Sequence, residues 1–98
     1  MKNPDRSRVS RLDALPNVGP AIARDLQKIG IRHPRELVGR DPFQLYDDLC
    51  AKTGIQQDPC VLDTFMSVVH FMEGGEAVPW WTFTAERKKL LILQNRRN

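Results

Sequence analysis

Apolar residues in this 98-residue chain recur in short runs of helical spacing, each cut off by proline or glycine. Val9, Leu12 and Leu15 fall on one helical face, and Pro16 ends that segment because a residue before proline is pushed out of the α region. Ile22, Leu26 and Ile29 repeat at i, i+4 and i+7 behind Pro20, which suits a first helical position, and Gly30 follows as a C-cap. Pro34 opens and Gly39 closes a single short turn of helix. Asp41-Pro42 and Asp58-Pro59 each pair an N-cap acceptor with a first-position proline. The first pair starts a helix with Leu45, Tyr46, Leu49 and Cys50 on one face, ending at Gly54. The second starts the longest helix, striped by Leu62, Phe65, Met66, Val69 and Met72 and ended by Gly74-Gly75. Beyond it Ala77–Phe83 is apolar but irregular, and Thr84 is placed to cap a short basic helix. No segment alternates with a two-residue period, so the pattern predicts an all-α fold of about five short helices. Two helical hairpins, over residues 8–29 and 42–73, flank the connector at Pro34.

A chain of this length holds one core. The expected organisation is a disordered basic N-terminus over 1–7, a helical domain over 8–83 and a basic C-terminal helix or tail over 84–98. With 41% hydrophobic and 28% charged residues the composition is that of an ordinary globular protein. The longest apolar run, Leu90–Leu93, falls far short of the roughly 18 residues a membrane span needs. Charges near the N-terminus are followed by no apolar stretch, so no secretory signal is predicted, and Cys50 and Cys60 read as reduced thiols of a cytoplasmic protein.

The formal net charge of +3 conceals a strong segregation. Residues 1–12 carry four basic side chains against one acidic, and residues 13–40 carry five against three. Residues 41–83 reverse this with one basic and seven acidic, and residues 84–98 return to five against one. Charge runs are usually solvated faces; the sharper alternative is one surface facing a polyanion.

The segment with chemistry to offer is Leu15-Pro16-Asn17-Val18-Gly19-Pro20-Ala21-Ile22-Ala23. Small turn-forming residues allow a tight bend with positive φ, and the bend feeds a helix N-terminus whose unpaired N–H groups suit a phosphate. The candidate donors are the backbone amides of Asn17, Gly19, Ala21 and Ile22. This pattern resembles the hairpin of helix-hairpin-helix DNA-binding proteins, with Asn17 standing at the first glycine position. Asn is the non-glycine residue that best tolerates the left-handed region, although its side chain then lies near the expected phosphate. The resemblance also implies a monovalent cation site on the carbonyls of Asp13, Leu15 and Val18. The plainer alternative is a turn that merely joins two packed helices. Arg24 and Lys28, with Gln27 between them, favour phosphate: like charges at that spacing repel in an isolated helix and gain from an anionic partner. The second connection, Lys52–Asp58, is longer and lies among Asp47, Asp48 and Asp58, so it is expected to be structural or to face a protein.

Other candidates weigh less. Cys50, Cys60, His33 and His70 show no zinc-site spacing, and both cysteines read as buried free thiols. Trp80 and Trp81 can stack on bases, but such a pair more often anchors a tail on the core. No nucleophile–base pair, carboxylate cluster or cofactor loop stands out, so no enzyme and no cofactor is expected.

From Leu15–Ala21 the resemblance extends through Gly30-Ile31, Asp41-Pro42, Leu45-Tyr46, Leu49-Cys50, Asp58–Asp63 and Pro79-Trp80-Trp81. Over Leu12–Lys89 the chain resembles the bacterial pathogenicity-locus family of small helix-hairpin-helix proteins, members of which are described as mitomycin-resistance proteins. The resemblance implies an all-helical fold and a bacterial cytoplasmic origin. The expected function is sequence-nonspecific contact with the DNA backbone, linked to DNA-damage tolerance. The alternative is a protein-interaction module, or a self-associating one, built on the acidic middle and Trp80/Trp81.

Overall fold

The computed structural model describes the backbone of residues 3–97 and the side chains as far as Leu93. Four α-helices, α1 (Pro20–Lys28), α2 (Pro42–Thr53), α3 (Pro59–Met72) and α4 (Thr84–Arg97), are joined by 3-10 turns at Leu12–Ala14, Pro34–Leu37 and Trp80–Phe83. There is no strand among the described residues, and the fold is all-α.

The helix ends obey the local chemistry. The Asp41 and Asp58 carboxylates accept the N–H groups of Phe43 and Cys60 at 2.9 Å, and proline follows each as the first helical residue. α1 ends in a Schellman motif: Gly30 at φ +89° lets its N–H reach Gln27 O and lets Ile31 N–H reach Leu26 O. Leu26 and Ile31, which the motif brings together, are both fully buried. α3 ends the same way, with Gly74 at φ +109° and Gly75 N–H on the His70 carbonyl. A Cβ at Gly75 would fall 2.2 Å from the exposed His70 imidazole, so a side chain there would require that ring to shift.

α3 carries the core. Every residue from Val61 to Val69 is buried, and so is Phe71, which exceeds the single apolar stripe that the sequence predicts. A helix apolar almost all round is one surrounded by others. α2 with Leu45 and Leu49, the connector turn with Leu37, the Trp80–Phe83 turn and α4 pack on it, and Leu26 of α1, Ile31, Leu12 and Leu15 extend the same buried cluster.

Two segments depart from expectation. The helix expected through Val9, Leu12 and Leu15 is only a 3-10 turn at Leu12–Ala14. The spacing of three suits either form, and Pro16 leaves too few residues to offset helix nucleation. All three side chains are nevertheless buried. Residues 1 and 2 of the expected disordered N-terminus lie outside the described residues; from Asn3 onward the segment is tied down. Arg6 donates from Nε to Phe71 O and from Nη2 to Gly75 O, both at 2.8 Å, and lies 5.2 Å above the Phe71 ring. A guanidinium there meets the carbonyl end of the α3 dipole.

α4 is attached through a polar contact that sequence inspection passed over. Asp63, fully buried in mid-α3, accepts from Arg87 Nε at 2.8 Å and from the Thr84 hydroxyl at 2.8 Å. Thr84 therefore spends its hydroxyl on α3 while its residue opens α4. The Arg87 side chain is 12% exposed and that of Asp63 1%, so the pair is desolvated. The Asp63 carboxylate pushes the Arg87 guanidinium further above its ordinary pKa. Breaking such a pair from one side strands a buried charge, whereas replacing both ions with apolar groups avoids that cost. Asp63→Ala is therefore expected to lose about 3 kcal/mol in urea unfolding. The double replacement Asp63→Leu/Arg87→Met is expected to lose less than Asp63→Ala alone, and a larger loss would refute this account of the contact.

Candidate nucleic-acid interface

The bend before α1 turns on one residue. Asn17 is the sole non-glycine residue with positive φ among the described residues, at +69°. Its side chain does not lie near the expected phosphate. It turns inward, where Nδ2 donates to Ser67 Oγ at 3.1 Å and to Val78 O at 2.7 Å. The sequence expectation of an intruding side chain is thereby corrected, and the reason is physical: an inward amide meets two acceptors that would otherwise lose hydrogen bonds on burial. The Val18 N–H closes the turn on Leu15 O at 3.2 Å, and Val18 itself is buried. Leu15 O, one of the three carbonyls considered for a cation, thus already serves the turn.

Gly19 is the α1 N-cap at φ −99°, an extended conformation open to any residue, and a Cβ there would meet nothing within 4 Å. Gly19 has no side chain to cap the helix, and Pro20 has no N–H to offer. The Gly19, Ala21 and Ile22 amides find no acceptor among the described residues, while Ala23 N–H is already bound to Gly19 O. Gly19, Pro20 and Ala21 are exposed and Ile22 is half-buried against the core. The candidate donors therefore stand together on an open surface.

Arg24 is exposed and has no ion-pair partner among the described residues. Lys28 differs, because its Nζ lies 3.5 Å from Asp25 Oδ1. Below α1 a polar groove of about 230 Å³ runs between Ser10, Arg11, Leu12 and Asp13 on one side and Ala23, Gln27 and Arg32 on the other. No local pattern announces it, since its two walls lie some ten residues apart and meet through the bend.

The remaining candidates lie apart from this surface. The Lys52–Asp58 connection is tied to α2: Tyr46 donates its hydroxyl to Gln57 O, Gln56 Nε2 donates to Tyr46 Oη at 2.9 Å, and Gln57 Nε2 donates to Thr53 Oγ1 at 3.0 Å. Burial, followed by its bond to Asp58, pushes the Cys60 thiol above its ordinary pKa, which disfavours the thiolate. His33 caps the connector turn, its Nδ1 accepting the Arg35 N–H at 3.1 Å. His70 lies edge-on to Phe83, ring centres 5.4 Å apart. Among the described residues no three His, Cys, Asp or Glu side chains gather as a metal site would require. Trp80 and Trp81 meet edge to face at 5.6 Å, and Trp81 is 62% exposed. Among the described residues no helix is long and apolar enough to cross a membrane.

Asn17 gives a direct test of how the bend is held. Asn17→Gly keeps the left-handed turn and loses the two side-chain bonds, at an expected cost of about 1–3 kcal/mol. Asn17→Ala loses the same bonds and adds about 1 kcal/mol of left-handed strain. Thermal or urea unfolding that ranks the two variants the other way would overturn this account.

A family model described as "Pathogenicity locus" matches residues 5–89. A protein from Streptomyces lavendulae, described as "Mitomycin resistance protein McrB", is 49% identical over 82 residues, covering 84% of this chain and 78% of that relative. No solved structure matches. The match runs unbroken from the turn that Arg6 anchors, through the Asn17 bend and the core helix, to the Asp63–Arg87 clasp, and the chain belongs to the pathogenicity-locus family.

Proposed function

We propose that the protein is a small accessory DNA-binding protein that grips the phosphate backbone without reading sequence. The observation behind this reading is the set of unpartnered amides at Gly19, Ala21 and Ile22. They open the α1 N-terminus onto an unobstructed surface beside the exposed Arg24. Backbone N–H groups at a helix start meet oxyanions through both hydrogen bonding and the helix dipole. Such contacts fix position on a duplex and carry no base information. Asn17 shapes the bend through its inward side chain. Its backbone N–H, which has no acceptor among the described residues, stays a candidate donor, and Lys28 contributes a charge shared with Asp25. The relative described as a mitomycin resistance protein supports a link to mitomycin tolerance, for which a backbone-binding accessory protein is a fitting agent.

A second reading, a non-enzymatic interaction module, draws on the exposure of Trp81 next to the acidic middle of the chain. The two readings separate on one variant. Gly19→Glu has room for its side chain and places a carboxylate over the amides, so it folds normally and repels phosphate. Wild-type protein titrated with duplex, branched and single-stranded DNA is expected to bind weakly. With about three phosphates neutralised, the log–log salt slope is expected near −3 on duplex. Gly19→Glu is expected to lose at least tenfold in affinity. Unchanged DNA binding by Gly19→Glu, or none by the wild type at low salt, defeats the proposal. A defined complex in light scattering that Trp81→Ala disrupts and Gly19→Glu leaves intact would favour the second reading.

A further inference from the structure

We infer that the groove between the first turn and the far end of α1 is a second phosphate seat, with Arg32 and Gln27 as its donors. The inference rests on the proposed function and extends it from the helix N-terminus to a track along α1. Two adjoining cavities, of about 230 and 320 Å³, share Gln27 and Arg32 in their walls. Among the described residues the larger is lined by these two, and the smaller adds Ser10, Arg11, Leu12, Asp13 and Ala23.

The charges in the groove do not cancel. Arg11 Nη2 is held by Asp13 Oδ2 at 2.9 Å, so that pair is neutral as a unit. The Arg32 guanidinium has no carboxylate partner among the described residues; Glu36 bonds only its backbone N–H, at 3.3 Å. One unmatched guanidinium therefore faces the groove beside a side-chain amide and a serine hydroxyl. Among the described residues no aromatic or broad apolar floor is present to hold a ring, and the walls are donor-rich. That combination suits a compact oxyanion, for which a guanidinium fork is the preferred recognition group.

The groove also lies where a strand held at the α1 N-terminus would pass. Pro20, Arg24 and Gln27 are exposed and follow one another at i, i+4 and i+7, forming a strip from the free amides to the groove. Seven residues of helix span about 10 Å. One DNA strand advances about 3.4 Å per nucleotide along its axis, so about three steps lead from the amides past Arg24 to Gln27 and Arg32.

The test compares Arg32→Gln with Arg35→Gln, which removes the same charge from an exposed neighbour outside the groove. Duplex titrations over a salt series are expected to show the Arg32→Gln slope shallower by about 0.9, with the Arg35→Gln slope near wild type. Equal effects of the two variants, with Gly19→Glu still impaired, would overturn the second seat and leave the α1 N-terminus reading standing. Failure of wild-type protein to bind any DNA would overturn both together. Inorganic phosphate followed on the Arg32 Nε–H and Gln27 side-chain amide signals by NMR provides the remaining arm. Saturable shifts there, combined with undiminished duplex binding by Arg32→Gln, would assign the groove to free phosphate and overturn the strand assignment.

Discussion

The candidate surface depends on a single left-handed residue whose side chain faces inward. Glycine would supply the Asn17 backbone conformation at lower conformational cost, but it would leave the turn free to pivot about its own bend. Asparagine adds an amide that joins the turn to α3 through Ser67 and to the following loop through Val78. Ser67 is itself fixed, because its hydroxyl donates to Thr64 O at 2.6 Å inside the buried helix. The bend is therefore referred to the most deeply buried helix of the molecule, and α1 inherits its direction from that contact. The free amides of Gly19, Ala21 and Ile22 follow directly on a turn whose side chain is bound inward.

α3 performs the same service for the other end of the chain. Its apolar surface is buried on every side, and apolar contact alone directs neighbours only loosely, since it is non-directional. Its few polar side chains supply the direction. Ser67 receives the Asn17 turn, and Asp63 receives Thr84 and Arg87 of α4. The last carbonyls of the helix receive Arg6 from the N-terminal segment. The Asn17 turn, α4 and the N-terminal segment are thus each oriented by polar contact with the central helix or its end, and no buried side-chain nitrogen or oxygen is left without a partner among the described residues.

Such an arrangement divides what a sequence displays from what it conceals. Caps and stops are local chemistry, so Asp41, Asp58, Gly30, Gly54 and Gly74 announce their helices within a few residues. The left-handed turn at Asn17 was legible for the same reason, and so was the open helix start that follows it. The direction of the Asn17 amide was not, since its acceptors lie 50 and 61 positions away. Asp63 showed only as one acid among several, although a lone carboxylate in the middle of an apolar helix is a signal that some distant cation must answer. The Val9–Leu15 segment misled for a different reason: three apolar residues spaced by three satisfy a 3-10 turn and an α-helix alike, and only the proximity of Pro16 decides between them.

Charge counted along the chain needs the same correction, because most of the segregated charge is already engaged. In the N-terminal basic segment Arg6 is bonded to carbonyls at the end of α3, Arg8 approaches Asp5 at 3.6 Å and Arg11 holds Asp13. In the acidic middle Asp63 is buried against Arg87, Asp41 and Asp58 cap helices, and Glu73 accepts the Gly39 N–H at 3.1 Å. Between them lies the segment with the smallest formal imbalance, yet Arg24, Arg32, Arg35 and Arg40 are all exposed there with no carboxylate partner among the described residues. An approaching polyanion responds to unmatched charge on the surface rather than to the sum along a sequence. On the α1 side that unmatched charge adjoins the free amides at Arg24 and Arg32, and this is the part that the Asn17 bend holds in place.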